Sequence, residues 1–489
     1  MHTAFGYNAL RAWIGTADPE GQSIPAPGRR RMTEERSHDV DGGRSAGFVG
    51  ADGFAGRGSP SRAAGRSDEP MSASGGPAER AAARTTAGVT GYQRRLLAAV
   101  TASTFFEGFD QAILALAAPY VARDFGLGPD GLGVLLSLIG VGAVLALLIT
   151  AQADRYGRRR LLLITVAGYG ICTGLTALAQ RPPDFVLWQL LARMFLFAEL
   201  ALAIVVVAEE APPARRGFAV SLLMAAHVAG GVVAAFTLGP LSDAGYGWRA
   251  MYALGLVPLP LVFVLRLGLR ETTHFAALDR AIPAARVVWA PLAIWREPHR
   301  RSLVLCVLLF GLIGALVSTF PSFYAYFLVN ERAFAPALVS TTFGLALLMG
   351  IPAIPLSGWL LDRWGRRVVG VIGPLLGAAG ILIAFNAGGS TAAITLGGMV
   401  GVFIGTSILP VQLVYIPELF PTAIRAIAAG WISNGAGRVL VIAAPAATGA
   451  LAAGLGSVGL AASAMALCGV AAAVLVYVAM PETRGRALD

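Results

Sequence analysis

The chain has 489 residues, of which 56% are hydrophobic and 13% charged, with a mean hydropathy of +0.67. Soluble domains carry about 25% charged residues, so part of this apolar surface has to be solvated by lipid. The formal charge is +10 and every basic residue is Arg; with no Lys, Schiff-base chemistry and a P-loop lysine are excluded.

Residues 1–90 are rich in Gly, Ala, Ser, Pro and Arg. They hold no apolar core of signal-peptide type, and a disordered tail is expected. Met32 and Met71 are alternative start positions. From there on, apolar runs of 18–25 residues follow one another, and we expect an all-α membrane protein with twelve transmembrane helices. They fall near 96–121, 131–151, 161–180, 185–208, 217–239, 249–269, 302–328, 336–361, 368–387, 391–416, 426–453 and 457–480. A polar connection over 270–301 separates a first half, 91–269, from a second, 302–489.

Ionisable residues inside the runs are the functional candidates, because each costs at least about 2.5–3.5 kcal/mol near mid-bilayer. In helix 1, Glu107 and Asp110 are three apart and share a face. That face is expected to point to a central cavity, where the pair could load and release a proton; a structural pair is the alternative. Helix 4 carries Arg193, a partner for a helix 1 carboxylate, and Glu199, a further relay candidate. His227 in helix 5 reads as a packing residue or a proton shuttle. Helix 7 ends in Phe320-Pro321-Ser322-Phe323-Tyr324-Ala325-Tyr326-Phe327. Pro321 is expected to break the helix locally, and Tyr324 and its neighbours either stack on a substrate or form an interfacial belt. Gln412 and Tyr415 in helix 10 could supply polar contacts to substrate or pack across helices. In helix 11, Asn434 and Arg438 are four apart on one face; the planar Arg fork suits a carboxylate substrate, and a pair with an acidic side chain elsewhere is the alternative. Cys172, Cys306 and Cys468 read as small packing residues.

The loop after helix 2 reads Asp154-Arg155-Tyr156-Gly157-Arg158-Arg159, and that after helix 8 reads Asp362-Arg363-Trp364-Gly365-Arg366-Arg367. Glu209, Pro212 and Arg216 follow helix 4 as Glu418, Pro421 and Arg425 follow helix 10. The two motifs keep nearly the same offset, so the chain is two related six-helix halves. Acid and Arg at these helix ends can pair in one conformation and part in another. Asp154, Arg155, Arg158, Glu209, Arg216, Asp362, Arg363, Arg366, Glu418 and Arg425 are therefore gate candidates; fixing topology against anionic lipid is the alternative. The Arg clusters place the even-numbered connections and both termini in the cytoplasm, as in a multi-pass protein of the inner (plasma) membrane.

The run Gly358-Trp-Leu-Leu-Asp362-Arg-Trp-Gly365-Arg-Arg resembles the loop signature of the major facilitator superfamily; the first copy departs from it with Thr150 in place of Gly. Pro417-Glu418-Leu-Phe-Pro421-Thr-Ala-Ile-Arg425 and Pro481-Glu482-Thr483-Arg484-Gly485-Arg486 resemble the sugar-porter and metabolite–proton symporter branches. Phe105-Phe106-Glu107-Gly108-Phe109-Asp110-Gln111 is similar to the acidic element of aromatic-acid–proton symporters. Helix 4 has Phe197 and Glu199 where that family often has a Gly-rich face. The resemblance implies a secondary transporter, functional as a monomer and without a cofactor, that takes up a small organic or aromatic acid with protons. A proton-driven efflux antiporter of the same fold is the alternative, disfavoured by Gly239-Pro240-Leu241-Ser242, which lacks the glycines of efflux members. A transport-dead membrane sensor ranks below both. No nucleic-acid partner is expected. No metal site or enzyme is expected either: there is no His-Glu-x-x-His and no paired Cys.

Overall fold

The computed structural model describes residues 91–152, 156–210, 216–256, 260 and 299–484. The 1–90 tail, almost all of the 270–301 connection, Asp154 and Arg155 lie outside the described residues, as do the side chains of Arg158, Glu209, Arg216 and Gln412. Every regular element described is helical, as an apolar environment requires of a spanning chain that does not close into a barrel.

Helix α1 (Gly91–Asp124) runs for 34 residues, about 50 Å at 1.5 Å per residue, enough to project beyond a bilayer core. The pair α2 (Pro129–Gly140) and α3 (Gly142–Thr150) forms one span. It is followed by α4 (Arg158–Ala177), α5 (Pro182–Glu210) and α6 (Arg216–Asp243), and by α7 (Trp248–Leu256), the start of the next helix. The second half begins with α8 (Arg300–Asn330), α9 (Pro336–Trp364) and α10 (Arg366–Asn386). Its remaining spans are α11 (Thr391–Ser407) with α12 (Leu409–Leu419), α13 (Thr422–Ser433) with α14 (Ala436–Leu455), and α15 (Val458–Met465) with α16 (Leu467–Ala479). Among the described residues ten helical spans have the length and hydropathy to cross a membrane.

Two departures from the expected helices matter for the site. Pro321 does not break its helix: α8 continues through it from Arg300 to Asn330. Helix 11, by contrast, is interrupted at Asn434-Gly435, where Gly435 takes φ −96° and ψ −117°. The glycine of the repeated loop motif has a matching conformation in both copies. Gly157 and Gly365 sit at φ +86° and +92°, a left-handed geometry that glycine adopts without steric cost, and each turn feeds directly into the next helix.

The halves meet at the end of the molecule away from these Arg loops. A Cβ on Gly133 of α2 would lie 2.4 Å from the Pro445 carbonyl of α14, and one on Gly449 would lie 2.3 Å from the Pro129 carbonyl. The Ala446 amide donates to Ser137 Oγ at 2.9 Å across the same contact. Between α6 and α9, Ser340 Oγ donates to the Ala235 carbonyl at 2.6 Å, and Gly344 receives the Phe236 ring. Toward the Arg end, Gly358 and Gly430 have nothing within 4 Å of an added Cβ. Trp359 and Trp364 are exposed there. The helices therefore converge at one end and enclose a cavity between the halves.

Candidate functional site

The cavity has a volume of about 440 Å³, within the usual range for small-molecule sites of roughly 300–1,000 Å³. Its walls come from both halves and are mostly apolar. Phe197, Phe320 and Phe343 supply aromatic surface, and Gln111, Arg193, His227, Ser322 and Thr406 supply the polar groups. Arg193 is the one permanently charged side chain among the described lining residues.

Where α1 crosses α6, the backbones touch. A Cβ on Gly108 would sit 1.8 Å from the His227 carbonyl, and one on Gly230 would sit 1.8 Å from the Phe105 carbonyl. This contact fixes the rotation of α1. Gly108, Gln111 and Ala115 face the cavity, while Glu107 is 0% and Asp110 3% exposed. The shared face of the two acids thus points away from the cavity, contrary to expectation, into the interior of the first half. There Asp110 Oδ1 accepts from Thr173 Oγ1 of α4 at 3.1 Å, and Asp110 Oδ2 has no hydrogen-bond partner among the described residues. Arg193 reaches this residue from α5, but its Nη2 donates to the Asp110 backbone carbonyl at 3.3 Å rather than to the carboxylate. Arg193 therefore belongs to two environments, the cavity wall and the buried acid. Glu199 is fully buried in the same half. The Gln189 amide donates to Thr176 Oγ1 at 3.0 Å and extends the polar interior. His227 Nε2 pairs with Gln111 Oε1 at 3.0 Å on the cavity side.

The second half places its expected site residues differently. The break at Asn434-Gly435 removes the continuous helix that would put Asn434 and Arg438 on one face. Asn434 Nδ2 donates to Ser433 Oγ, and the half-buried Arg438 guanidinium lies 4.8 Å over the ring of Phe197, a lining residue of the other half. Tyr324 is fully buried; it stacks on Phe320 with centroids 4.2 Å apart and donates to the Ile394 carbonyl at 3.2 Å. Tyr415 is likewise fully buried and outside the cavity lining. The residues not singled out from sequence are Gln111, Thr173 and Gln189. Each is a polar side chain within an apolar run, the signal that could have found them.

At the Arg end, Arg366 holds the second-half motif together. Its Nε and Nη2 each lie 2.9 Å from Glu418 Oε1, and its Nη1 lies 3.3 Å from Asp362 Oδ1. Glu418 also accepts from the Thr483 hydroxyl. Glu482 accepts from the backbone amides of Arg366 and Arg367 at 2.9 Å each, an anion at the N-terminus of α10. Burial alone would raise the pKa of Glu482, but the amides of Arg367, Arg484, Arg366 and Thr483 together hold it below the usual carboxylate value. Arg363 instead lies over Trp359 at 5.4 Å, and Arg425 Nε donates to the Phe420 carbonyl at 3.3 Å.

Comparison with known proteins agrees with this architecture. Residues 100–329 match the model of the Major Facilitator Superfamily, and residues 287–489 match that of the Sugar (and other) transporter family. The chain is 30% identical to the 3-(3-hydroxy-phenyl)propionate transporter of Escherichia coli (strain K12), over 72% of this chain and 86% of that protein. It is 26% identical to the gallate transporter of Pseudomonas putida, over 70% and 82%. The crystal structure of a D-xylose-proton symporter superposes with a TM-score of 0.65 at 21% identity, covering 81% of this chain and all of that one; the ten spans described here fit the twelve-helix fold of such neighbours. The chain is thus a multi-pass secondary transporter and not an enzyme, and it belongs to the major facilitator superfamily, in the branch that includes metabolite and aromatic-acid symporters and sugar porters.

Proposed function

We propose that this transporter imports a ring-bearing organic acid together with protons across the inner (plasma) membrane. Both termini and the Arg-rich end face the cytoplasm in this reading, because Arg clusters are retained on that side. The end at which the halves meet then faces outward.

The observation that carries the proposal is the double position of Arg193. Arg193 is one of the residues around the cavity, and its guanidinium, itself buried, bonds the backbone of Asp110, whose carboxylate is buried directly behind. A substrate carboxylate drawn to Arg193 adds a second anion beside one cation in a low-dielectric setting. A proton on Asp110 restores the balance, so substrate and proton are taken up together. Glu107, on the same face, and Glu199 are secondary carriers. The aromatic lining and the single fixed cation suit one ring and one carboxylate, as in the acids that name the two relatives. The D-xylose-proton symporter is a neighbour in fold whose name includes the proton.

The test is uptake by the purified protein in proteoliposomes. An inward proton gradient should drive accumulation of an aromatic acid, and Asp110→Asn should keep counterflow exchange while losing accumulation. Uptake indifferent to the gradient would reject proton coupling, and accumulation only under the reversed gradient would assign the antiporter.

A further inference from the structure

The pair formed by Gln111 and His227 faces the same cavity as Arg193, yet the proton chemistry above uses neither residue. We propose that this pair is a second recognition point, which favours acids whose ring carries a hydrogen-bond acceptor, a hydroxyl oxygen or a ring nitrogen, over the unsubstituted acid. The inference rests on the reading of the cavity as an acid site.

The argument starts from hydrogen-bond inventory. A carboxamide oxygen only accepts, so in the 3.0 Å contact His227 Nε2 carries the hydrogen and Gln111 Oε1 receives it. The imidazole thereby fixes which way the Gln111 amide faces, and its two N–H bonds remain for a guest. Gln111 is exposed to the cavity. The pair is also held in place: the His227 carbonyl abuts Gly108, and Gly230, three residues on, abuts Phe105. Gln111 sits one residue beyond Asp110 and three beyond Gly108, so it is mounted on the tightest crossing in the first half.

The rest of the wall offers a ring substituent little competition. Most of the lining is aliphatic, aromatic or glycine. From the opposite half come Ser322 and Thr406, and the Thr406 hydroxyl already donates to the Val402 carbonyl. A guest that fills the cavity without an acceptor strips water from the Gln111 amide and gives nothing back. Sites built to hydrogen-bond a substrate reject analogues that lack the matching atom for this reason. One neutral hydrogen bond of this kind corresponds to about tenfold in affinity.

The experiment measures dissociation constants of benzoate, 3-hydroxybenzoate and nicotinate for the full chain, as wild type, Gln111→Leu, Gln111→Glu and Arg193→Gln. Wild type should bind the hydroxylated acid and nicotinate about tenfold more tightly than benzoate. Gln111→Leu should erase the preference, so that all three acids bind alike, with benzoate bound at least as tightly as by wild type because no amide is left to desolvate. Gln111→Glu keeps the shape and still accepts from His227 but has no N–H to give, so it should also lose the preference, which guards against a Leu variant that fails to fold. A wild type without the preference, or a Gln111→Leu that retains it, overturns the proposal. Benzoate binding that depends on Arg193 but shows no discrimination would overturn the second point and leave the acid site standing. Failure of all three acids to bind wild type would overturn both.

Discussion

At the scale of the residue, Gly108 decides what the neighbouring acids do. Because α1 and α6 touch backbone to backbone, any side chain at 108 or 230 forces the helices apart; an added Cβ would stand 1.8 Å from a carbonyl oxygen in each case. Gly108→Ala should therefore destabilise by about 1–3 kcal/mol or more, the usual range for overpacking, and should displace Asp110 and Gln111 together. Gly430→Ala, in α13 with nothing within 4 Å, is the matched control. There the better helix propensity of Ala should leave stability unchanged or higher. Thermal unfolding in detergent compares the two, and equal effects would refute the close crossing. The sequence shows that Glu107 and Asp110 share a face, but helical spacing does not say which way a face turns. That is set by where the helix is allowed to touch, and the glycines that mark the contact lie on two different helices.

At the scale of the element, α10 has its N-terminus closed by a residue 116 positions later. Glu482 takes the first two amides of the helix, and Thr483 meets Glu418, which in turn holds Arg366. Glu482→Ala should cost about 0.5–2 kcal/mol, as loss of a capping side chain does. The pH dependence has a definite sign. The folded-state pKa of Glu482 is lowered, so its contribution is present above the ordinary carboxylate value of about 4.5 and is lost as pH falls through the lowered one. Thermal unfolding should thus fall more steeply on acidification for wild type than for Glu482→Gln; identical slopes would exclude the cap. Here the sequence was informative in part. The Pro-Glu-Thr-Arg run and the duplicated Asp-Arg-x-Gly-Arg-Arg motif are conspicuous, and the turn at Gly365 follows from glycine's freedom at positive φ. Their meeting is tertiary and has no local signature. Helix 11 shows the reverse case: the Asn434-Gly435 dipeptide is a turn signal, and it overrides the helical spacing that would join Asn434 to Arg438.

At the scale of the whole molecule, the contact between the halves at the end away from the Arg loops defines a conformation that transport has to leave. The Ala446 amide lies 2.9 Å from Ser137 Oγ across the halves, which makes these two neighbouring positions the pair to cross-link. With Cys172, Cys306 and Cys468 replaced, a Ser137→Cys, Ala446→Cys pair should cross-link on oxidation, stop uptake, and recover on reduction. Undiminished uptake by the cross-linked protein would mean that this contact does not open during transport. Topology is tested separately. Gly388→Cys lies in the loop between α10 and α11, at the end where the halves meet, and should react with an impermeant thiol reagent from outside intact cells. Labelling only after permeabilisation would invert the orientation. The number of helices and the two-fold repeat were legible because periodic hydrophobicity and duplicated motifs are properties of the chain itself. The cavity was legible only in its residue types, because Tyr324 and Tyr415 are buried outside its lining by contacts that no single segment encodes.

The crossing at Gly108 has one more consequence. His227 stands on the cavity side of α1, and the buried acids stand on the other side of the same turn. In the proposed function, ligand occupancy and protonation would thus be separated by the thickness of one helix, with no moving domain between them. Binding alone, in detergent and without a membrane or a gradient, should therefore exchange protons with the buffer. Titration calorimetry in buffers of different ionisation enthalpy would read that exchange as a buffer-dependent heat, and Asp110→Asn should abolish the dependence.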